Sequence, residues 1–82
     1  MLKKQVFKIE TIRVPVKRSR TLDSEKVREI AESILEQGQI TPVLVRTDAD
    51  GFILVEGYHR LEALRALGEA LIEGYLVQAR KH

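Results

Sequence analysis

The segment at residues 52–60 constrains the fold most, because its pattern changes from strand to helix within a few positions. Residues 52–55 form an apolar run rich in aromatic and β-branched side chains, which is typical of a buried strand. Gly57 follows, and the helical pattern after it carries an imidazole and a guanidinium, His59 and Arg60. The first N–H groups of a helix lack intrahelical partners and carry partial positive charge, so this junction predicts an anion site.

The first half of the chain predicts a short extended region followed by a long helix. Apolar residues at positions 6, 9, 12 and 14 predict one or two short strands that end at Pro15, which has no N–H donor. Asp23 is placed to cap a helix, and Gly38 is placed to end it in the left-handed conformation. The apolar stripe that predicts the buried face of this helix consists of Val27, Ile30, Ala31, Ile34 and Leu35.

The second half predicts a hairpin, a helix and a last strand. Apolar runs at 43–45 and 52–55 flank an Asp-Ala-Asp-Gly turn in which Asp and Gly are expected to supply positive φ. Their unbroken apolar character predicts burial on both faces. A helix is predicted from about Tyr58 to Leu67, with Gly68 closing it, and a strand from 70 to about 77. The inward-facing residues of this helix are expected to be Leu61, Leu64 and Leu67.

The resulting order of elements is β-α-β-β-α-β. It predicts an α+β fold with a small mixed, mainly hairpin-connected sheet packed with two main helices, as a single domain over residues 1–82. The sequence has no cysteine, which excludes disulfides, thiolate metal sites and cysteine nucleophiles. No apolar run approaches the ~20 residues of a membrane span. We therefore predict a cytoplasmic domain with no membrane contact, and we assign no residues to a metal site.

Basic residues are concentrated at the start of the chain. Residues 1–20 contain seven Lys or Arg and one acid, whereas the net charge of the whole chain is only +2. Such a basic arm predicts attraction to a nucleotide or to a nucleic acid backbone, with Lys17, Arg18 and Arg20 as candidate DNA contacts. The alternative is a solvated edge strand whose lysines prevent aggregation between strands.

The candidate site residues each have a functional and an ordinary interpretation. Arg60 can make bidentate contacts to phosphate oxygens, or it can form a surface salt bridge with Glu56 or Glu62. His59 can donate a hydrogen bond to phosphate or transfer a proton, although a histidine at a helix start is often only a polar surface residue. Gly57 permits close approach of a phosphate, but a plain turn from strand to helix also favours glycine.

Two residues of the first helix can extend this site. Lys26 and Ser33 lie seven positions apart, which is two turns along one face, so both can line one groove. The alternatives are a solvated lysine and a small packing residue. Glu56 and Glu62 are candidate bases or metal ligands, although acids that flank an arginine usually balance its charge.

The residues at 22–34, Gly38, 42–45 and 56–64 resemble the ParB/sulfiredoxin superfamily over nearly the whole chain. In its short length the chain is similar to the single-domain sulfiredoxin type. The resemblance implies a nucleotide, ATP or CTP with Mg²⁺, whose phosphates lie between the first helix and a Gly-x-His-Arg helix start. The positions that match the phosphate-binding residues of the superfamily are Lys26, Ser33, His59 and Arg60.

Two departures bear on the activity that the resemblance implies. Tyr58 stands where sulfiredoxins have their reactive cysteine, so their thiol chemistry is not available; Tyr58 either stacks on a base or sugar or fills the space of that cysteine. Glu29 stands at a hydroxyl position, where it either turns away or helps to hold Mg²⁺. The Glu-Asn motif and the helix-turn-helix of ParB relatives are not in the sequence, so sequence-specific DNA binding of the partition type is not expected.

Three hypotheses follow. The first is a nucleoside-triphosphate-binding domain, with His59 and Glu56 as candidate catalytic residues of an NTPase or phosphotransferase. The nucleotide would contact Lys26, Ser33, Gly57, Tyr58, His59 and Arg60. The second is a ParB-like DNA-associated domain that binds or cuts DNA. The third is a non-catalytic interaction module that binds a protein partner or forms a homodimer.

Overall fold

Five strands form one mixed sheet, with one helix packed on the sheet and a second helix packed on the first. The computed structural model describes residues 3–38 and 41–78. Its elements are β1 (Lys4–Lys8), β2 (Ile12–Arg13), α1 (Val16–Ser19), α2 (Ser24–Gln37), β3 (Val43–Asp48), β4 (Gly51–Glu56), α3 (Tyr58–Ala66) and β5 (Leu71–Leu76). A 3₁₀ turn, Ile9–Thr11, separates β1 from β2. The predicted α+β class is confirmed, and the extended N-terminal region is two strands followed by an unpredicted one-turn helix, α1.

The sheet has the strand order β1-β5-β3-β4-β2. Strand β1 is antiparallel to β5 and β3 is antiparallel to β4, whereas β3 is parallel to β5 and β2 is parallel to β4. The predicted mixed sheet is confirmed. The expectation of a mainly hairpin-connected sheet is wrong, because within the described ranges only β3 and β4 are joined by a hairpin. Parallel neighbours need crossover connections, which the helical segments supply.

The core lies on one face of the sheet. Leu61 of α3 packs there with Val43 and Val45 of β3, and all three side chains have no exposed surface. The other members of this cluster are Phe7, Ile9, Ile12, Leu54, Tyr58, Leu64 and Ile72. Burial of both apolar runs on two faces was expected and is wrong, because Leu44 and Ile53 are only half-buried. Side chains alternate along a strand, so Val43, Val45 and Leu54 face the core cluster while Leu44 and Ile53 face away from it.

Helix α2 begins and ends as predicted. The Asp23 carboxylate accepts hydrogen bonds from the N–H groups of Glu25 and Lys26, at 3.0 and 3.4 Å. At the other end, Gly38 has φ 70° and donates to the Ile34 carbonyl at 2.7 Å. The predicted stripe is half-buried, except that Leu35 is 73% exposed. Its assignment to the buried face is wrong, because the residue of this turn that packs against the core cluster is Ile34.

The turn of the hairpin does not use positive φ. No residue from Asp48 to Gly51 has a positive φ angle, so that expectation is wrong. Gly51 has another reason to lack a side chain, since a Cβ atom there would lie 2.8 Å from the Thr11 carbonyl oxygen. The requirement comes from a distant part of the chain and not from the turn itself.

Replacing Asp23 with alanine is expected to lower the free energy of unfolding by about 1 kcal/mol, because two N–H groups of α2 lose their acceptor. Asp23→Ser keeps a capping oxygen and is the matched control, expected to recover most of this loss. Urea denaturation followed by circular dichroism measures both. An Asp23→Ser protein as unstable as Asp23→Ala would show that capping is not what Asp23 contributes.

Candidate functional site

Helix α3 starts at a glycine that the fold requires. Gly57 is buried, with φ 107° and ψ 31°, and a Cβ atom there would lie 2.6 Å from Cγ1 of Val43. Both the positive φ and this close approach exclude an ordinary side chain. No side chain caps α3, in contrast to α2, which the Asp23 carboxylate caps. The first N–H groups of α3 are therefore left to a ligand or to water.

His59 contacts the start of α2. Its Nε2 atom accepts a hydrogen bond from the Asp23 backbone N–H at 3.0 Å. The ring is half-buried, and its centroid lies 5.9 Å from that of Tyr58, with the planes inclined at 49°. His59 is therefore held by a specific contact and is not the free surface residue of the ordinary interpretation.

Arg60 contacts the segment that follows α2. Its Nη1 atom donates to the carbonyl oxygens of Thr41 and Pro42 at 3.1 and 2.8 Å. The expected alternative, a salt bridge with Glu56 or Glu62, is not among the ion pairs of the described residues, and Glu62 pairs instead with Arg65. The guanidinium is thus anchored by one nitrogen.

The two neighbours contact the two segments that flank α2 in the sequence. His59 bonds to the residue just before that helix, whereas Arg60 bonds to residues shortly after it. The start of α3 is consequently tied to the beginning of α2 and to the segment just before β3. An uncapped helix start, an imidazole and a guanidinium lie together there, which is an arrangement suited to an anion with several oxygens.

The two α2 residues predicted for the site are exposed. The Lys26 backbone N–H bonds to the Asp23 carboxylate, which places Lys26 about one helical turn from the residue that holds His59. Ser33 lies roughly 10 Å further along the helix axis. Within residues 3–38 and 41–78, no hydrogen bond joins the side chain of Lys26 or Ser33 to α3. Their roles stay predictions.

The acidic candidates are also exposed. Glu56 is the last residue of β4, and Glu29 lies on the outside of α2. Among the described residues, no group of three His, Cys, Asp or Glu side chains is arranged to hold a metal ion. The same residues contain no helix long and apolar enough to cross a membrane.

Tyr58 belongs to the core. Its side chain is 9% exposed and packs with the apolar cluster beneath α3. Little of its ring surface is therefore open to a nucleotide base. Of the two predicted roles, stacking and space-filling, the burial favours the second, and the Tyr58 backbone N–H remains available to a ligand.

The basic residues do not form one arm. Lys4 lies on the edge strand β1, where it pairs with Glu73 at 3.7 Å, whereas α1 follows β2 at the opposite edge, roughly 19 Å away across the sheet. Within α1 the Arg18 guanidinium donates to the Val55 carbonyl. Lys17 and Arg20 are exposed. For β1 this favours the edge-strand interpretation, and DNA contact through Lys17, Arg18 and Arg20 stays a prediction.

Sequence reasoning missed the groups that hold the site in place. These are the Asp23 N–H and the carbonyls of Thr41 and Pro42, together with Val43, which contacts Gly57. The first three are backbone groups, which every residue type carries. No signal in the sequence identifies them.

These features define a small α+β domain in which groups from two helices meet at a glycine helix start. The ParB N-terminal domain family matches residues 3–82, and the chain belongs to this family. The predicted resemblance to the ParB/sulfiredoxin superfamily is therefore confirmed.

One curated relative and two solved structures illustrate the similarity. The chromosome-partitioning protein ParB of Myxococcus xanthus is 43% identical over 61 residues, which cover 73% of this chain and 21% of that protein. The chain thus spans about a fifth of that relative. Sulfiredoxin from Arabidopsis thaliana has a TM-score of 0.81 and 30% identity, covering 94% of this chain and 86% of that one. C-terminally truncated ParB from Caulobacter crescentus, complexed with CTP-γ-S, has a TM-score of 0.75 and 23% identity, covering 98% and 46%.

Proposed function

We propose that this chain binds a nucleoside triphosphate, with the phosphates at the start of α3. The observation that carries the proposal is the uncapped start of α3 at Gly57, beside an anchored His59 and an anchored Arg60. Free N–H groups and the helix dipole favour an anion there. The absence of a Cβ atom on Gly57 allows a phosphate to approach the backbone closely.

The neighbouring acid does not compete for this position. The Asp23 carboxylate accepts hydrogen bonds from N–H groups in the first turn of α2, so its negative charge is directed at the start of that helix. The start of α3 has no such side chain. The remaining N–H groups of Arg60 are free to donate to phosphate oxygens while Nη1 stays on the Thr41 and Pro42 carbonyls.

Membership of the ParB N-terminal domain family makes CTP the first nucleotide to test. The supporting comparison is the Caulobacter crescentus protein, which was solved with CTP-γ-S. A Mg²⁺ ion bound mainly by phosphates and water needs only one or two carboxylates from the protein. The exposed Glu29 and Glu56 are the candidates among the predicted residues.

We propose nucleotide binding and do not extend the proposal to hydrolysis or phosphoryl transfer. Hydrolysis or transfer needs a group that activates the nucleophile near the phosphate. Glu56 is exposed at the end of β4, and no hydrogen bond of the described residues orients its carboxylate. The similarity to chromosome-partitioning proteins supports a cytoplasmic location. DNA contact, a protein partner and a homodimer remain hypotheses.

Calorimetric titration with CTP, ATP and GTP, each with and without Mg²⁺, tests the proposal. We expect binding at millimolar concentration or tighter for at least one triphosphate. Cytidine is the matched control ligand, because it keeps the base and lacks the phosphates. Failure of every triphosphate to bind would contradict the proposal, as would cytidine binding as tightly as CTP.

A further inference from the structure

We infer that Asp23 fixes His59 in the tautomer that carries its proton on Nδ1, and that His59 therefore acts on the phosphate as a hydrogen-bond donor and not as a base. The second half of this inference rests on the proposed nucleotide function. The first half concerns the protein alone and can be measured without any ligand.

The tautomer follows from the chemistry of the donor. A backbone N–H can only donate, so the Nε2 atom that faces the Asp23 N–H at 3.0 Å must present its lone pair. A neutral imidazole with an unprotonated Nε2 carries its proton on Nδ1. The Asp23 N–H thus selects one of the two neutral forms of the ring.

Both partners of this bond are held in position. Asp23 is the N-cap of α2, with φ −108°, and its carboxylate is tied to two N–H groups of that helix. On the other side, the His59 ring lies against the ring of Tyr58, which is buried in the core. The imidazole is therefore held by Asp23 at the start of α2 and by its own neighbour Tyr58 on α3.

The two ring nitrogens of His59 therefore have different roles. Nε2 is already occupied, so it cannot accept a proton from water or a hydroxyl unless the bond to Asp23 breaks. Nδ1 is not a buried atom lacking a partner, and no acceptor among the described residues contacts it. It is the nitrogen open to a ligand, and it carries a proton. This argues against His59 as a general base, one of its predicted roles.

Two substitutions separate the two nitrogens. The side-chain amide of glutamine reaches the place of Nε2, so His59→Gln can still accept from Asp23 but has no donor at the place of Nδ1. The amide of asparagine lies at the place of Nδ1, so His59→Asn keeps a donor there but loses the bond to Asp23. The two variants have the same chemical group at different distances from the backbone.

The direct test is long-range ¹H–¹⁵N correlation spectroscopy on protein labelled at histidine, without nucleotide. We expect the His59 signals of a protonated Nδ1 and an unprotonated Nε2. A proton on Nε2, or an averaged mixture of both tautomers, would overturn the inference even if nucleotide binds well. The same spectra determine the tautomer when no nucleotide binds. A lack of nucleotide binding would then count only against the proposed function.

The functional test compares the two variants by calorimetry with CTP and Mg²⁺ and by urea denaturation. We expect His59→Asn to bind roughly tenfold more tightly than His59→Gln, because a donor to a charged phosphate is retained. The midpoint of urea denaturation should show the reverse order, with His59→Gln the more stable. Undiminished binding by His59→Gln would show that Nδ1 is not the donor.

Discussion

Replacing Gly57 with alanine is expected to lower the free energy of unfolding by roughly 3 kcal/mol, which combines overpacking with the cost of positive φ. The added Cβ atom would lie 2.6 Å from Val43 Cγ1 and 3.3 Å from its Cα atom. Val43 is fully buried in the core, so it has no room to move away. For a domain of this size, the melting temperature should fall by more than about 10 °C, measured by thermal denaturation.

Gly68→Ala is the matched control for this substitution. Gly68 also has a positive φ, 78°, but a Cβ atom there would have no atom within 4 Å. Its loss is expected to be about 1 kcal/mol, since only the backbone conformation is penalised. The difference between the two variants measures the contact with Val43. Equal losses would show that this close approach does not exist in solution.

Replacing Arg60 with alanine is expected to weaken nucleotide binding by roughly 10- to 100-fold, because charge-assisted hydrogen bonds to phosphate are lost. The variant also loses the bonds to the Thr41 and Pro42 carbonyls, which should lower the free energy of unfolding by about 1–2 kcal/mol. Calorimetry must therefore be done at a temperature where denaturation curves show the variant to be folded.

Arg65→Ala serves as the control on the same helix. Arg65 is half-exposed, pairs with Glu62 at 3.4 Å, and lies roughly 7.5 Å along the helix axis beyond Arg60. It is expected to leave nucleotide affinity unchanged. Arg60→Lys should recover only part of the affinity, since an ammonium keeps the charge but not the planar set of donors. An equal loss in Arg60→Ala and Arg65→Ala would indicate general electrostatic attraction instead of a site.

Local patterns predicted the elements that depend on neighbours along the chain. The capped start of α2 at Asp23 and its left-handed end at Gly38 are confirmed, because each requires only hydrogen bonds within one turn. The inward position of Leu61 is also confirmed, because the helical period places it on the apolar face of α3. Periodicity failed for Leu35 and for the second face of the sheet, where burial depends on what packs against the residue.

The candidate site divides in the same way. The sequence by itself determined that a strand passes through Gly57 into a helix bearing His59 and Arg60, since that requires only contiguous residues. The tertiary structure alone decided how these side chains are used, because their partners lie far along the chain: Asp23 is 36 residues from His59, and Thr41 is 19 residues from Arg60. Those partners are main-chain groups, identical in every amino acid except for proline's missing N–H, so only the folded arrangement of the backbone selects them.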